Sequence, residues 1–219
     1  MASECRFAHL PRRRAIISAP VCRICTATRG VPSAEAIDHM PLPLETERLV
    51  LRVAEPADVE PLFAVFGDVA AMQYISSGAD PDRAATRRRV EWMMNYQRQH
   101  SMSLWSVVER ASGTVIGDCG LRFLEQGPLV EVGYRLGRKH WHKGYATEAA
   151  RAAVEFGFTE LGLGEIVAIC QPENLGSQNV MRKLGMTLQG PARYYDTDVN
   201  LSRLTRDAWS ARPSTHEAT

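Results

Sequence analysis

The sequence predicts an α/β (α+β) fold: a mixed central sheet of about six to seven strands, antiparallel in its first half and with a parallel βαβ crossover in its second. Three observations lead there. Four strand signals follow one another between residues 46 and 136, with two helices inserted after the first. A helix striped with small residues then separates two apolar strands, the arrangement of a crossover between parallel neighbours. The tail from Thr187 to Trp209 reads as one or two further strands.

Size and composition set the frame. The chain has 219 residues, 45% hydrophobic and 23% charged, with five cysteines and a formal net charge of +1. These proportions fit one domain, or one domain with a tail, and exclude wholesale disorder and collagen-like repeats. No apolar run approaches the ~18 residues of a membrane-spanning helix. A net charge near zero offers no whole-molecule field for nucleic acid or an anionic membrane, so neither is an expected partner. Five unevenly spread cysteines do not make a disulfide framework, and a reduced, cytoplasmic setting is expected.

Residues 1–39 differ from the rest. They show no sustained period and hold six Arg, no Lys and three acids, a net of +3, which leaves −2 for residues 40–219. The preferred reading is a tail, or a start codon assigned upstream of Met40, ahead of a single domain over 40–219. An Arg-rich, acid-poor organellar transit segment is the second reading. A signal peptide fits poorly, because Ala15–Val21 is short and interrupted by Pro20. Cys22 and Cys25 form a lone C-x-x-C, half of what a structural zinc site needs.

The elements follow in order. Thr46–Val53 alternates Leu49 and Leu51 with Arg48 and Arg52, a period-2 strand. Pro56 and Asp58 open a helix to Phe66, ended near Gly67. Asp80-Pro81 starts a longer helix to about Gln99, with Val90, Met93 and Met94 on one face; its Arg87–Arg89 run could touch a phosphate, but a solvated helix face is the preferred reading. Ser103–Glu109 and Thr114–Phe123 flank Ala111-Ser-Gly113 as a hairpin, and Leu129–Leu136 follows the Gly127-Pro128 turn. Gly144 precedes a helix over Ala146–Leu161 whose Ala150, Ala153, Gly157, Phe158 and Leu161 share a stripe. Gly162 and Gly164 stop it. Glu165–Cys170 is the next strand, and Leu175–Leu184 a helix ended by Gly185.

The segment from Arg138 to Glu148 joins strand to helix and carries the clearest chemistry. Gly144, with small Ala146 and Thr147 behind it, lets backbone N–H groups converge at the positive end of a helix dipole, with Lys139 and Lys143 beside it. That is an anion site suited to phosphate or pyrophosphate. A plain strand-to-helix turn with exposed lysines accounts for it equally. The loop lacks GxxxxGK[ST] and GxGxxG, so it is neither a P-loop nor a dinucleotide fingerprint.

Three stretches in order carry a more specific signal: Glu131-Val-Gly-Tyr-Arg-Leu136, Trp141-His-Lys-Gly-Tyr-Ala-Thr-Glu-Ala149, and Asn174-Leu-Gly-Ser-Gln-Asn-Val-Met-Arg-Lys-Leu-Gly-Met186. Together they resemble the GNAT superfamily of acyl-CoA-dependent N-acetyltransferases, and within it the RimJ/RimL-type ribosomal-protein alanine acetyltransferases. Leu44–Arg52 is similar to that branch's first strand, and the resemblance spans about residues 42–209. It implies helices on both faces of the sheet and acetyl-CoA as co-substrate, without a metal. In the family, the loop matching His142, Lys143, Gly144, Tyr145, Ala146 and Thr147 wraps the CoA pyrophosphate with backbone amides. The strand around Leu136 would meet the pantetheine arm at a splayed edge. Asn174 resembles the asparagine that contacts pantetheine, and Asn179 would reach the cofactor from the next helix. The family's preferred Gln or Arg three residues before the glycine is Trp141 here.

The resemblance further implies direct transfer to an amine, with no acyl-enzyme. Such a reaction needs a base for the ammonium, a donor for the oxyanion and stabilisation of the leaving thiolate. Glu131 resembles the carboxylate that serves as base, acting directly or through water; an ordinary strand glutamate is its other reading. The family's acid is often a Tyr seven residues after the asparagine, where this chain has Met181, which cannot donate a proton. Ser177 stands where some relatives place a substitute, although a helix-start serine is also a common cap. Tyr134, Tyr145, Tyr194 and Tyr195 are further hydroxyls without an assigned role. His140 and His142 lack a third metal ligand by spacing and read as loop residues. Cys119 and Cys170 read as small core hydrophobes.

The expected function is therefore transfer of an acetyl group from acetyl-CoA to a primary amine, on a small molecule or a protein N-terminus. The alternatives are transfer of another short acyl group, or a module that binds acyl-CoA without turnover. Dimers are usual among similar proteins, so a homodimer is in keeping with the resemblance.

Overall fold

Leu49 and Leu51 point the same way from an extended chain, and both are fully buried in the computed structural model of the protein, which describes residues 42–212. The expectation for residues 1–39 lies outside the described residues. The strand expected over Thr46–Val53 is confined to β2 (Leu49–Arg52), and the Leu44–Arg52 segment as a whole forms two short strands, β1 (Leu44–Glu45) and β2, paired antiparallel. The break is chemical: the Thr46 N–H donates to the Leu49 carbonyl at 2.9 Å, and the Leu49 N–H returns to the Thr46 hydroxyl at 3.0 Å. The tail forms two strands, the upper of the one or two expected, and the split at Thr46 brings the sheet to eight strands against the six to seven expected.

Pro56–Asp58 forms a 3₁₀ turn leading into α1 (Val59–Phe66), closed at Gly67. Asp82 caps α2 (Arg83–His100) by accepting from the Ala85 N–H at 2.8 Å. Thr86, Val90 and Met93 are its buried residues. Then β3 (Leu104–Glu109), β4 (Thr114–Phe123) and β5 (Val130–Leu136) run as an antiparallel meander. The crossover follows through α3 (Tyr145–Thr159) to β6 (Glu165–Cys170), which pairs parallel with β5. After α4 (Leu175–Leu184), β7 (Thr187–Tyr194) and β8 (Thr197–Thr205) form a hairpin, and α5 (Arg206–Ser210) ends the described chain. The strand order is β1-β2-β3-β4-β5-β6-β8-β7.

Helices cover both faces of the sheet, over two separate apolar clusters. On one side Ala149, Ala150, Ala153 and Phe156 of α3 pack on Trp105, Ile116 and Leu121. The small residues let α3 approach closely: a Cβ on Gly157 would stand 2.7 Å from Ile166 Cδ1. On the other side Leu62, Phe66, Val90 and Met93 pack on Leu104 and Val115. Between β5 and β6 only one pair is in register, Glu131 with Val167. The parallel and antiparallel halves part beyond that rung, as the family resemblance implies near Leu136.

Candidate active site

The turn between β5 and α3 is fixed by two left-handed residues, His142 at φ +61° and Gly144 at φ +83°. A side chain at Gly144 would be strained there and would meet Arg48 Nη2 at 3.3 Å. No side chain caps α3. The N–H groups of Tyr145, Ala146 and Thr147 therefore lack intrahelical acceptors at the positive end of the dipole. His142, Lys143 and Gly144 are exposed beside them.

Three anchors hold this loop. The Trp141 indole N–H donates to the Leu136 carbonyl at 2.7 Å, tying the loop to the end of β5. Arg48 Nη1 donates to the Lys143 carbonyl at 2.9 Å. Glu148, in the first turn of α3, accepts from the Thr46 hydroxyl at 2.6 Å, the Arg48 N–H at 2.8 Å and Arg48 Nε at 2.7 Å. Burial works to raise the Glu148 pKa, but these donors outweigh it and hold the carboxyl below the usual glutamate value. Beneath the loop His140 is buried, with neither ring nitrogen hydrogen-bonded among the described residues; its Nδ1 stands 3.9 Å from Glu109 Oε1. Burial lowers its pKa, so the ring is neutral at pH 7.

At the start of α4 Asn174 acts as the cap, its Oδ1 accepting the Ser177 N–H at 3.0 Å. The Ser177 hydroxyl lies 2.8 Å from the Tyr134 hydroxyl across the seam between β5 and α4. Burial pushes the Tyr134 phenol well above its ordinary pKa, so it stays protonated. Met181 is buried in the core and Asn179 is exposed. Asn179 Oδ1 accepts from Arg182 at 2.7 Å, beside a groove of about 410 Å³ between α4 and the β7–β8 hairpin. Asn174 and Ser177 thus stand at the seam near the end of β5, while Asn179 lines a different groove.

Glu131 is 3% exposed. Its Oε1 accepts from Arg122 Nε at 2.6 Å and from the Tyr195 hydroxyl at 3.1 Å, and its Oε2 takes no hydrogen bond among the described residues. It lines a cavity of about 320 Å³ that reaches Tyr134 and Cys170 at the seam and is closed by Tyr74–Ser77, Arg89 and Tyr195. Burial raises the Tyr195 pKa, and the Glu131 carboxylate raises it further.

Sequence reasoning left Tyr134 and Tyr195 without roles and passed over Arg122 and Arg135; it read Arg89 as part of a solvated helix face, whereas its side chain is only 21% exposed, paired with the buried Asp80 and lining the cavity. Two of these were within reach of hairpin counting: β4 and β5 place Arg122 opposite Glu131 and Asp118 opposite Arg135. Opposite charges directly across an antiparallel pair are neighbours on one face. The buried, free thiols of Cys119 and Cys170 match their reading as small hydrophobes. Among the described residues no group of three or more His, Cys, Asp or Glu converges as metal ligands, and no helix is long and apolar enough to cross a membrane.

Comparison with known proteins shows the family. Residues 48–187 match the acetyltransferase (GNAT) domain family. The uncharacterized N-acetyltransferase p20 of Bacillus licheniformis is 32% identical, over 70% of this chain and 86% of that protein. Among solved structures, a GNAT-family acetyltransferase from Bacillus anthracis superimposes with a TM-score of 0.66 at 28% identity, covering 75% of this chain and 98% of the other. The ribosomal-protein-S5-alanine acetyltransferase of Vibrio fischeri shares the fold at 20% identity, with a TM-score of 0.60 over 77% and 98% of the two chains. A family match over most of the described residues, joined to relatives named for the same reaction, makes this chain an N-acetyltransferase of the GNAT family.

Proposed function

We propose that the protein transfers an acetyl group from acetyl-CoA directly to a primary amine, on a small molecule or a protein N-terminus. The observation that carries this reading is the uncapped start of α3, set against a seam held by one rung and leading to the cavity of Glu131. The exposed N–H groups of Tyr145, Ala146 and Thr147 suit a pyrophosphate, with His142, Lys143 and Gly144 shaping the loop. The end of β5 at Leu136 and the cap residue Asn174 flank the path for the pantetheine arm. Asn179, which lines the separate groove between α4 and the β7–β8 hairpin, is given no contact on that path.

In this mechanism Glu131 takes the ammonium proton through Oε2, directly or by way of water. The amine nitrogen then attacks the thioester carbon, the C–S bond breaks, and the second proton on that nitrogen passes to the leaving sulfur, giving the CoA thiol, while the Ser177–Tyr134 hydroxyl pair hydrogen-bonds the sulfur. The raised pKa of Tyr134 keeps that pair protonated throughout. The phenol supplies the hydroxyl that Met181 cannot.

Residues 40–219 are proposed to suffice as the catalytic domain. The deciding measurement is calorimetric titration of acetyl-CoA and of CoA into that fragment and into the full chain, followed by an amine screen. Micromolar binding to both, with thiol release on adding an amine, is the expected result. A folded fragment and a folded full chain that both ignore acetyl-CoA would overturn the reading.

A further inference from the structure

We propose that the amine acceptor itself carries an acidic group, a carboxylate or a phosphate, held by the guanidinium groups of Arg135 and Arg89 while its amine faces Glu131. This rests on the acetyl-transfer reading and names its substrate class.

The argument begins with strand periodicity. Glu131, Gly133 and Arg135 alternate with Val132 and Tyr134, so they share the face of β5 that looks toward α1 and α2. All three line the cavity. Gly133 contributes no side chain, and Leu104 packs over it, its Cδ2 3.3 Å from where a Cβ would stand; the Glu131 carboxylate and the Arg135 guanidinium start from backbone positions about 7 Å to either side. A zwitterionic small molecule spans such a gap.

The arginines are arranged as preformed receptors. Arg135 donates through Nε to Asp118 at 2.9 Å and through Nη2 to the other oxygen of Asp118. Arg89 donates to Asp80 through Nη2 at 2.6 Å and Nε at 3.3 Å. Each fork is thus aligned by its own aspartate, and in both the Nη1 group makes no hydrogen bond among the described residues. Both guanidinium groups also stack on the Phe66 ring, at 4.6 and 5.1 Å from its centroid. Their side chains remain partly accessible, 10% for Arg135 and 21% for Arg89. Two immobilised guanidinium groups with unspent N–H donors facing one cavity match the geometry of an oxyacid. Glu131 is the sole carboxylate among the lining residues, and Arg122 is already on it. A polyamine would find no second anion there, and the uncharged chain beyond a peptide N-terminus would leave the two forks without a partner.

The test uses the full chain with acetyl-CoA and follows thiol release. Acceptors are supplied as matched sets: an α-amino acid, its carboxamide, the corresponding aminophosphonate and the parent amine lacking any acid. The expected result is a preference for an acid over its amide of about 10- to 100-fold in kcat/KM, the scale of a charge-assisted hydrogen bond. Whether carboxylate or phosphonate leads identifies the source of the acid. In Arg89→Lys and Arg135→Lys the acid-to-amide ratio should fall toward one; because it is a ratio within each preparation, a smaller folded fraction does not alter it. Equal or better use of the amide or parent amine by the natural sequence would overturn the proposal. So would a protein that binds acetyl-CoA yet acetylates no acid, a result that leaves the transferase reading standing. Failure to bind acetyl-CoA at all removes that reading, and this proposal with it.

Discussion

At the scale of single residues, the chemistry concentrates on a few side chains whose neighbours decide what they can do. Glu131 has one oxygen held by Arg122 and Tyr195 and the other free of hydrogen bonds among the described residues, so it is fixed in place and still able to accept a proton. Replacing it with glutamine keeps the shape and most of the hydrogen bonding and removes only the basicity. Turnover by Glu131→Gln should drop by roughly 10²–10⁴, with acetyl-CoA affinity retained in a calorimetric titration; full activity would remove the assignment. The sequence made Glu131 a candidate through its place in a recognisable strand, and it also showed the missing acid at Met181. It did not show the remedy. Tyr134 and Ser177 are 43 positions apart, and only the crossover brings their hydroxyls to 2.8 Å.

At the scale of elements, local patterns were legible where a boundary has a chemical cause. β4, β6 and α4 match their expected limits because turns, glycines and caps mark them: Gly113 lies before β4, Gly164 before β6, and Gly185 after α4. The start of the chain was misread as one strand because the turn at Thr46 relies on a side-chain hydroxyl, with Glu148 a hundred residues away holding it. The same contact explains why the Leu44–Arg52 segment belongs with the anion loop. Arg48 ties the first strands to the start of α3, so the two motifs form one structural unit. Within that unit Gly144 has no substitute. A Gly144→Glu variant puts an unfavourable backbone conformation and a negative charge where three N–H groups await an anion. It should lose measurable acetyl-CoA binding in the same titration, and unchanged affinity would refute the loop assignment.

For the molecule as a whole, the sheet and the crossover were readable from periodicity, whereas the cavity beside Glu131 was not. That cavity is assembled from the loop after α1, a face of α2, the four strands β3 to β6 and the β7–β8 hairpin, and no run of sequence announces such a convergence. What pins these layers together is a set of acids paired with arginine. Burial opposes ionisation of Asp58 and Asp80. For Asp58, hydrogen bonds from Arg52 and Ser106 outweigh that cost, and for Asp80 those from Arg89 and Thr86 do, so both carboxyls titrate below the ordinary aspartate value. With Glu148 behaving likewise, these groups are more acidic folded than unfolded. Their contribution is present above the unfolded values of 3.8 and 4.5 and is lost as pH falls through and below them. The thermal midpoint should begin to fall below about pH 6.5, where protonation of His100 and His140 favours the unfolded chain, and decline steeply below about pH 4 as the paired acids are protonated. A midpoint that rises on acidification would contradict the pairing.

The single rung between β5 and β6 has a mechanical consequence. Every other major junction in the sheet is riveted by four or more paired positions, so each half behaves as a stiff plate. Compliance is concentrated along one line, spanned on the outside by α3. A guest entering that line deforms the softest joint in the protein and leaves both plates, with the residues mounted on them, in alignment. A change in the width of that line can therefore proceed by resetting the angle of one joint without repacking either core.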